Sequence, residues 1–173
     1  WKRLLNTDCT VIDIGSHTVY PIFRVGSTSL MSDADRTYTN RQISKCEHID
    51  ILIRNPIDRF VSGVNEYCRQ NSLDVKKTRG LIKQEKLVDR HFAPQYIWLI
   101  HLYKFYKGTV TLKPFGSISE ITQQHLKHLR ANESHQHVDP VEQFINVDLA
   151  LMKDLHKTVL LKDIIRKHKN VLS

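Results

Sequence analysis

Apolar positions along the chain fall into short blocks that alternate between strand-like and helix-like spacing. Residues 9–14 and the run Ile49, Ile51, Leu52 and Ile53 read as buried strands, with the second covering 48–54. Phe60, Val61 and Val64 recur at helical spacing behind Pro56, which suits a first helical turn, so a helix is expected over 56–70. Residues 18–24 predict a strand, weakened by Pro21, before a Gly-Ser-Thr-Ser loop and a helix over 26–33. The polar stretch 70–80, with Lys76-Lys77-Thr78-Arg79-Gly80, reads as a surface loop before an amphipathic helix near 81–88. A helical run from Tyr96 to Tyr106 follows, then a strand over 109–115, then a helix that Ser117 and Glu120 are spaced to cap. His135, His137, Asp139 and Pro140 fall in a loop, and Asn146 to Lys169 is mostly helical. The alternation predicts one α/β domain over residues 1–173, with neither repeats nor a low-complexity linker.

Two strand-to-helix junctions carry candidate chemistry. At Arg54-Asn-Pro-Ile-Asp-Arg-Phe-Val-Ser62 the strand hands over to the helix beside Arg54. Free backbone N–H groups and the positive helix end favour an anion there, and Arg54, Arg59 and Ser62 add guanidinium forks and a hydroxyl. Upstream, Phe23-Arg24-Val25-Gly26-Ser27-Thr28-Ser29-Leu30 places a glycine and three hydroxyl residues after another strand, a pattern suited to cradling phosphate. It is not a Walker loop, which needs a lysine directly before its Ser or Thr.

RNPIDRFVS matches the RxPxxRxxS pattern by which sulfotransferases that use 3′-phosphoadenosine 5′-phosphosulfate (PAPS) hold the donor's 3′-phosphate. FRVGSTSL resembles the same family's 5′-phosphosulfate loop, with Phe23-Arg24 where Pro-Lys is usual. His91-Phe-Ala-Pro-Gln95 is similar to the HWxPQ segment of the carbohydrate branch. The resemblance spans roughly residues 18–125. It implies a P-loop-like three-layer core, a short parallel sheet flanked by helices, acting on PAPS and an acceptor, a saccharide by branch. It assigns Arg54 and Ser62 to the 3′-phosphate, with Arg59 at the motif's second arginine. Arg24, Val25, Gly26, Ser27, Thr28 and Ser29 then hold the 5′ end. The chain is short for that family, which implies a minimal core with few insertions, or a fragment, since it starts at Trp1.

The implied reaction moves a sulfonate group in line from PAPS to an acceptor hydroxyl or amine. Positive charge must meet the leaving phosphate, a role for Arg24 and the loop N–H groups, and a base must take the acceptor proton. Arg24 keeps the charge of the family's lysine but offers a planar fork that does not give up its proton. His91 is the first candidate base, with His17, His48 and Glu66 in reserve. A nucleotide- or polyanion-binding module without an effective base stays open, as does a P-loop phosphotransferase, although neither its Walker lysine nor its magnesium carboxylate is visible.

Composition narrows the partners further. A net charge of +8, from 26 basic against 18 acidic residues, favours anionic ligands. The basic residues are scattered and no nucleic-acid signature accompanies them, so a specific nucleic-acid partner is not expected. Cys9, Cys46 and Cys68 are widely spaced without a ligand grouping, and His125, His128, His135 and His137 lack a cysteine or well-spaced carboxylate, so no metal is expected. No apolar stretch reaches spanning length and no signal peptide is evident. The default is a soluble, cytoplasmic protein, with a Golgi lumenal domain trimmed of its anchor left open.

Overall fold

A computed structural model describes residues 5–84, 86–122, 142–153, 155 and 157–168. The histidines at 125, 128, 135 and 137, with Asp139 and Pro140, lie outside the described residues.

Among the described residues six strands form one mixed sheet in the order β3-β1-β2-β4-β5-β6. They are β1 (Val11–Ile14), β2 (His17–Val19), β3 (Arg36–Tyr38), β4 (His48–Ile53), β5 (Thr109–Pro114) and β6 (Thr158–Leu160). The core β2-β4-β5 is parallel, while β1, β3 and β6 join antiparallel. The sheet is therefore α/β in class, as expected, but mixed rather than simply parallel. One reason is local: Gly15, at φ 55°, and Ser16 close a tight turn that sets Ile14 against His17 in an antiparallel hairpin. Ile49, Ile51, Leu52 and Ile53 of β4 are all fully buried, as a central parallel strand covered on both faces requires.

Eight α-helices accompany the sheet among the described residues: α1 (Ser27–Ser32), α2 (Asn40–Ile43), α3 (Pro56–Asn71), α4 (Val75–Lys83), α5 (Gln95–Tyr103), α6 (Ile118–Ile121), α7 (Glu142–Met152) and α8 (Leu161–Lys167). Helix α3 starts as its sequence predicts. Asn55 caps it by accepting from the amides of Ile57 (2.9 Å) and Asp58 (3.3 Å), and Pro56 occupies the first turn. Phe60, Val64 and Cys68 of α3 pack with Ile82 and Phe92 into a small cluster of their own. Helix α5 is buried nearly all round, contributing Tyr96, Ile97, Trp98, Leu99 and Leu102 to the main core.

Several expectations need correction. The strand expected over 18–24 ends at Val19, apart from one further bond from the Tyr20 amide to the Asp50 carbonyl, because Pro21 has no N–H to continue the ladder. The loop expected over 70–80 is mostly helix α4. Asp74 caps it by accepting from the Lys77 amide at 2.7 Å, Thr78 and Ile82 face inward, and Lys76 and Lys77 stay on the solvent side. The helix expected near 81–88 therefore begins six residues earlier and stops at Lys83. Ser117 makes no side-chain cap to α6, which follows a 3-10 turn over Phe115–Ser117 instead. The helical reading of 146–169 is interrupted by β6, whose β-branched Thr158 and Val159 pair with β5.

Candidate functional site

Both motifs sit where adjacent parallel strands end. β2 leads into Tyr20–Gly26, and β4, its parallel neighbour, leads into Arg54 and α3. In open α/β sheets this is the edge at which ligands bind. The two junctions touch: Arg24 Nη2 donates to Ser62 Oγ at 2.8 Å, across 38 positions of sequence.

Gly26 takes the left-handed conformation (φ 68°) at the start of α1. A Cβ there would lie 2.3 Å from Ile118 Cδ1 and 3.2 Å from Phe115 Cε2, so the loop is pressed onto the turn after β5, and a side chain would have to displace Ile118 as well as bear the left-handed φ. Ser27 and Ser29 are half-buried and Thr28 is exposed, while Val25 is buried and donates its amide to Ile22. Ser27 to Ser29 form the first turn of α1, where amides have no acceptor within the helix. Arg24 also adopts positive φ (65°), costly for a residue with a side chain.

Arg54 is half-buried, its guanidinium 5.4 Å above the Phe115 ring. Its backbone is clamped by Gln95, which accepts from the Arg54 amide and donates to the Arg54 carbonyl, both at 2.9 Å. Arg59 is placed differently from its expected role. Only 2% exposed, it donates Nε to the Phe23 carbonyl at 3.1 Å and Nη1 to the Ala93 carbonyl, which makes it a strut between the loop and the HFAPQ segment. Burial pushes its pKa down to about 10, against the opposing charge of Asp148 and with help from Arg24 and Arg54. Burial lowers Arg24 and Arg54 as well, and Arg24's charge adds to the effect on Arg54. Three guanidinium groups thus converge, and among the described residues none is in a salt bridge. Arg24 Nε and Arg59 Nη2 are buried with no hydrogen-bond partner among the described residues. Such donors suit an anion's oxygens.

The candidate bases separate. His91 lies against the site, edge-on to Phe23 with ring centroids 5.0 Å apart, and packs on Tyr67. It is 6% exposed, and its Nδ1 meets Asp89 Oδ1 at 2.5 Å, leaving Nε2 for any further proton. Helix α3 comes close enough to this segment that a Cβ on Gly63 would lie 2.0 Å from the His91 carbonyl oxygen. Glu66 stands one turn beyond Ser62, but Arg69 and Gln70 bind it, and Arg69 above all holds its pKa down to about 2. His17 and His48 are corrections. Both open their strands at the end away from the loops, where His17 Nδ1 meets Asp50 Oδ2 at 2.8 Å and His48 Nε2 meets Thr111 Oγ1 at 2.5 Å. Six residues of strand put His48 about 20 Å from Arg54.

Beside the loop opens a cleft of about 430 Å³, with Phe23, Ser27, Thr28, Arg90 and Trp98 in its wall. Phe23 and Trp98 stack at 6.2 Å with their planes 14° apart, and the Arg90 guanidinium lies 4.8 Å over Phe23. Behind them His101 is held by the Thr7 carbonyl at Nε2 (3.0 Å), so its Nδ1 accepts from Tyr20 Oη–H (2.9 Å), and burial lowers its pKa. Both ring nitrogens are engaged.

Sequence reasoning missed Asp148. From α7 it accepts the amides of Gln95 (2.8 Å) and Tyr96 (3.0 Å), fixing the start of α5 and with it the Gln95 clamp on Arg54. Desolvation pushes its pKa up to about 6 despite those bonds and the Arg59 charge. Phe115 beneath Arg54 and Asp89 on His91 were likewise unmarked. Among the described residues no group of three or more His, Cys, Asp or Glu is placed to hold a metal, and no helix is long and apolar enough to cross a membrane. No protein-family model matches this chain, and neither a curated protein nor a solved structure does.

Proposed function

We propose that the chain transfers a sulfonate group from PAPS to an acceptor hydroxyl, on a saccharide. The observation that carries this reading is the 2.8 Å bond between Arg24 and Ser62, which joins the two phosphate-type junctions into one basic cluster at the ends of β2 and β4. The unpartnered donors on Arg24 and Arg59 are what a phosphate-rich donor would satisfy. Arg54 and Ser62 hold the 3′-phosphate, and the loop from Val25 to Ser29 holds the 5′ end, with Val25 and Gly26 setting its shape. Arg59 works from behind by fixing the Phe23 carbonyl. The donor supplies the activated sulfonate and a phosphate leaving group.

The acceptor enters the adjoining cleft, whose wall includes the edges of Phe23 and Trp98, and Arg90 suits a carboxylate or sulfate on it. His91 takes the hydroxyl proton as the new S–O bond forms, and Asp89 orients its ring. Labelled sulfonate transfer from PAPS to glycans, small alcohols and tyrosyl peptides tests this. Transfer to a glycan, lost in Arg54→Ala, is expected. No turnover on any acceptor overturns it in favour of a second reading, a donor-binding module without transfer. That reading draws on the burial of His91 and on Arg24 standing where the resembled family has lysine.

A further inference from the structure

We infer that Arg24 serves the 3′-phosphate end of the pocket and acts as a specificity determinant there, rather than working at the 5′ end where the resembled family places its lysine. The inference rests on the PAPS reading above.

The direction of the side chain is the first ground. From a turn with φ 65°, Arg24 reaches across to α3, and its Nη2 donates to Ser62 Oγ at 2.8 Å. Its charged neighbours are on the same side: Glu66 and Arg69 lie one and two turns beyond Ser62, and Arg54 stands at the entry to α3. A serine hydroxyl accepts on its lone pairs and still has one hydrogen to give. Ser62 can therefore accept from Arg24 and donate to a phosphate oxygen at once.

The unpartnered atom is the second ground. Nε and Nη2 share one edge of a guanidinium, the edge that grips a phosphate or carboxylate with two parallel bonds. In Arg24 that edge has Nη2 on Ser62 and Nε buried without a partner among the described residues. Nε–H is closed to solvent, so a phosphate oxygen drawn to Ser62 and Arg54 reaches it by a small shift of the Arg24 side chain. Arg59 Nη2, also buried and unpartnered, adds a donor behind the same junction. A lysine ammonium has no such edge, so it cannot hold Ser62 and a phosphate oxygen in one plane.

Titration calorimetry with 3′-phosphoadenosine 5′-phosphate, adenosine 5′-monophosphate and adenosine 3′-monophosphate separates the two ends. Arg24→Gly suits the positive φ and removes the guanidinium, and its melting temperature checks that it folds; Arg24→Lys keeps the charge without the fork. The expected result is that Arg24→Gly weakens the bisphosphate and the 3′-monophosphate by about tenfold or more, as for loss of a charge-assisted bond, while the 5′-monophosphate changes by less than about threefold. Arg24→Lys restores only part of the 3′ affinity. A loss confined to the 5′-monophosphate, or equal losses at both ends, overturns the inference. If the wild type itself fails to prefer the bisphosphate over the 5′-monophosphate, the PAPS reading fails and takes the inference with it.

Discussion

Gly63 is the residue whose replacement tests the architecture of the site most sharply. It follows Ser62 in the middle of α3, and an added Cβ would stand 2.0 Å from the His91 carbonyl oxygen, 2.7 Å from its carbon and 3.2 Å from Phe92 Cα. Comfortable contact needs about 3.5 Å, so the helix and the 91–92 backbone must part by more than about 1 Å. Both sides are main chain and cannot rotate out of the way. Alanine at an open helical position gains up to about 1 kcal/mol over glycine, whereas overpacking costs about 1–3 kcal/mol, and rigid neighbours put this case at the upper end. The net loss is about 2 kcal/mol, or about 4–8 °C in melting temperature for a chain of this size. Gly80 in α4 is the control, since a Cβ there meets nothing within 4 Å. Gly80→Ala should raise the melting temperature by about 1–3 °C, the gain expected of a better helix former. Thermal unfolding followed by circular dichroism reads both variants. Gly63→Ala as stable as the wild type would refute the close packing of α3 on the HFAPQ segment, and with it the geometry placing Ser62 beside Arg24.

Arg59→Met removes the donors to the Phe23 and Ala93 carbonyls and leaves buried Asp148 without its nearby cation. The expected cost of about 3 kcal/mol should lower the urea midpoint by about 1–2 M; an unchanged midpoint would show that Arg59 is no strut. For Glu66 the sign follows from its depressed pKa of about 2, set first by Arg69, with burial opposing and Gln70 and Arg24 assisting. Its ionised form stabilises the fold above the ordinary carboxylate value, and the contribution fades as pH falls through about 2. Arg69 is mostly exposed, so screening keeps the effect small. Glu66→Gln should be the less stable protein at pH 7, with the gap closing between pH 4.5 and about 2; a gap independent of pH speaks against the ion pair.

What the sequence revealed was whatever depends on neighbours in the chain. Pro56, Asn55 and the spacing of Phe60 and Val64 are enough to place α3, and Ile49, Ile51, Leu52 and Ile53 are enough to place β4. The same local logic misread α4, because Lys76, Lys77, Arg79 and Gly80 suggested a loop while the cap at Asp74 and the inward pair Thr78 and Ile82 received no weight. Strands β3 and β6 are three residues each and gain their order from β1 and β5, whose partners lie far away in sequence. At the candidate site, the motif marked Arg54 and Ser62, which flank the first two turns of α3, but the contacts of Arg59 were not legible. Its partners, the Phe23 and Ala93 carbonyls, stand 36 and 34 positions distant and come from backbone, which leaves no mark on residue type. Asp148 is 53 positions from Gln95, so its capping of α5 was equally hidden.

The central claim is that this pocket reads a nucleotide carrying a 3′-phosphate. Calorimetric titration of the wild-type chain with 3′-phosphoadenosine 5′-phosphate, AMP and ATP tests it most directly. The bisphosphate should bind at least about tenfold more tightly than either competitor, with that preference lost in Arg54→Ala and in Ser62→Ala, as expected when charge-assisted bonds to one phosphate are removed. Equal affinity for AMP, or a preference untouched by both substitutions, would contradict the account.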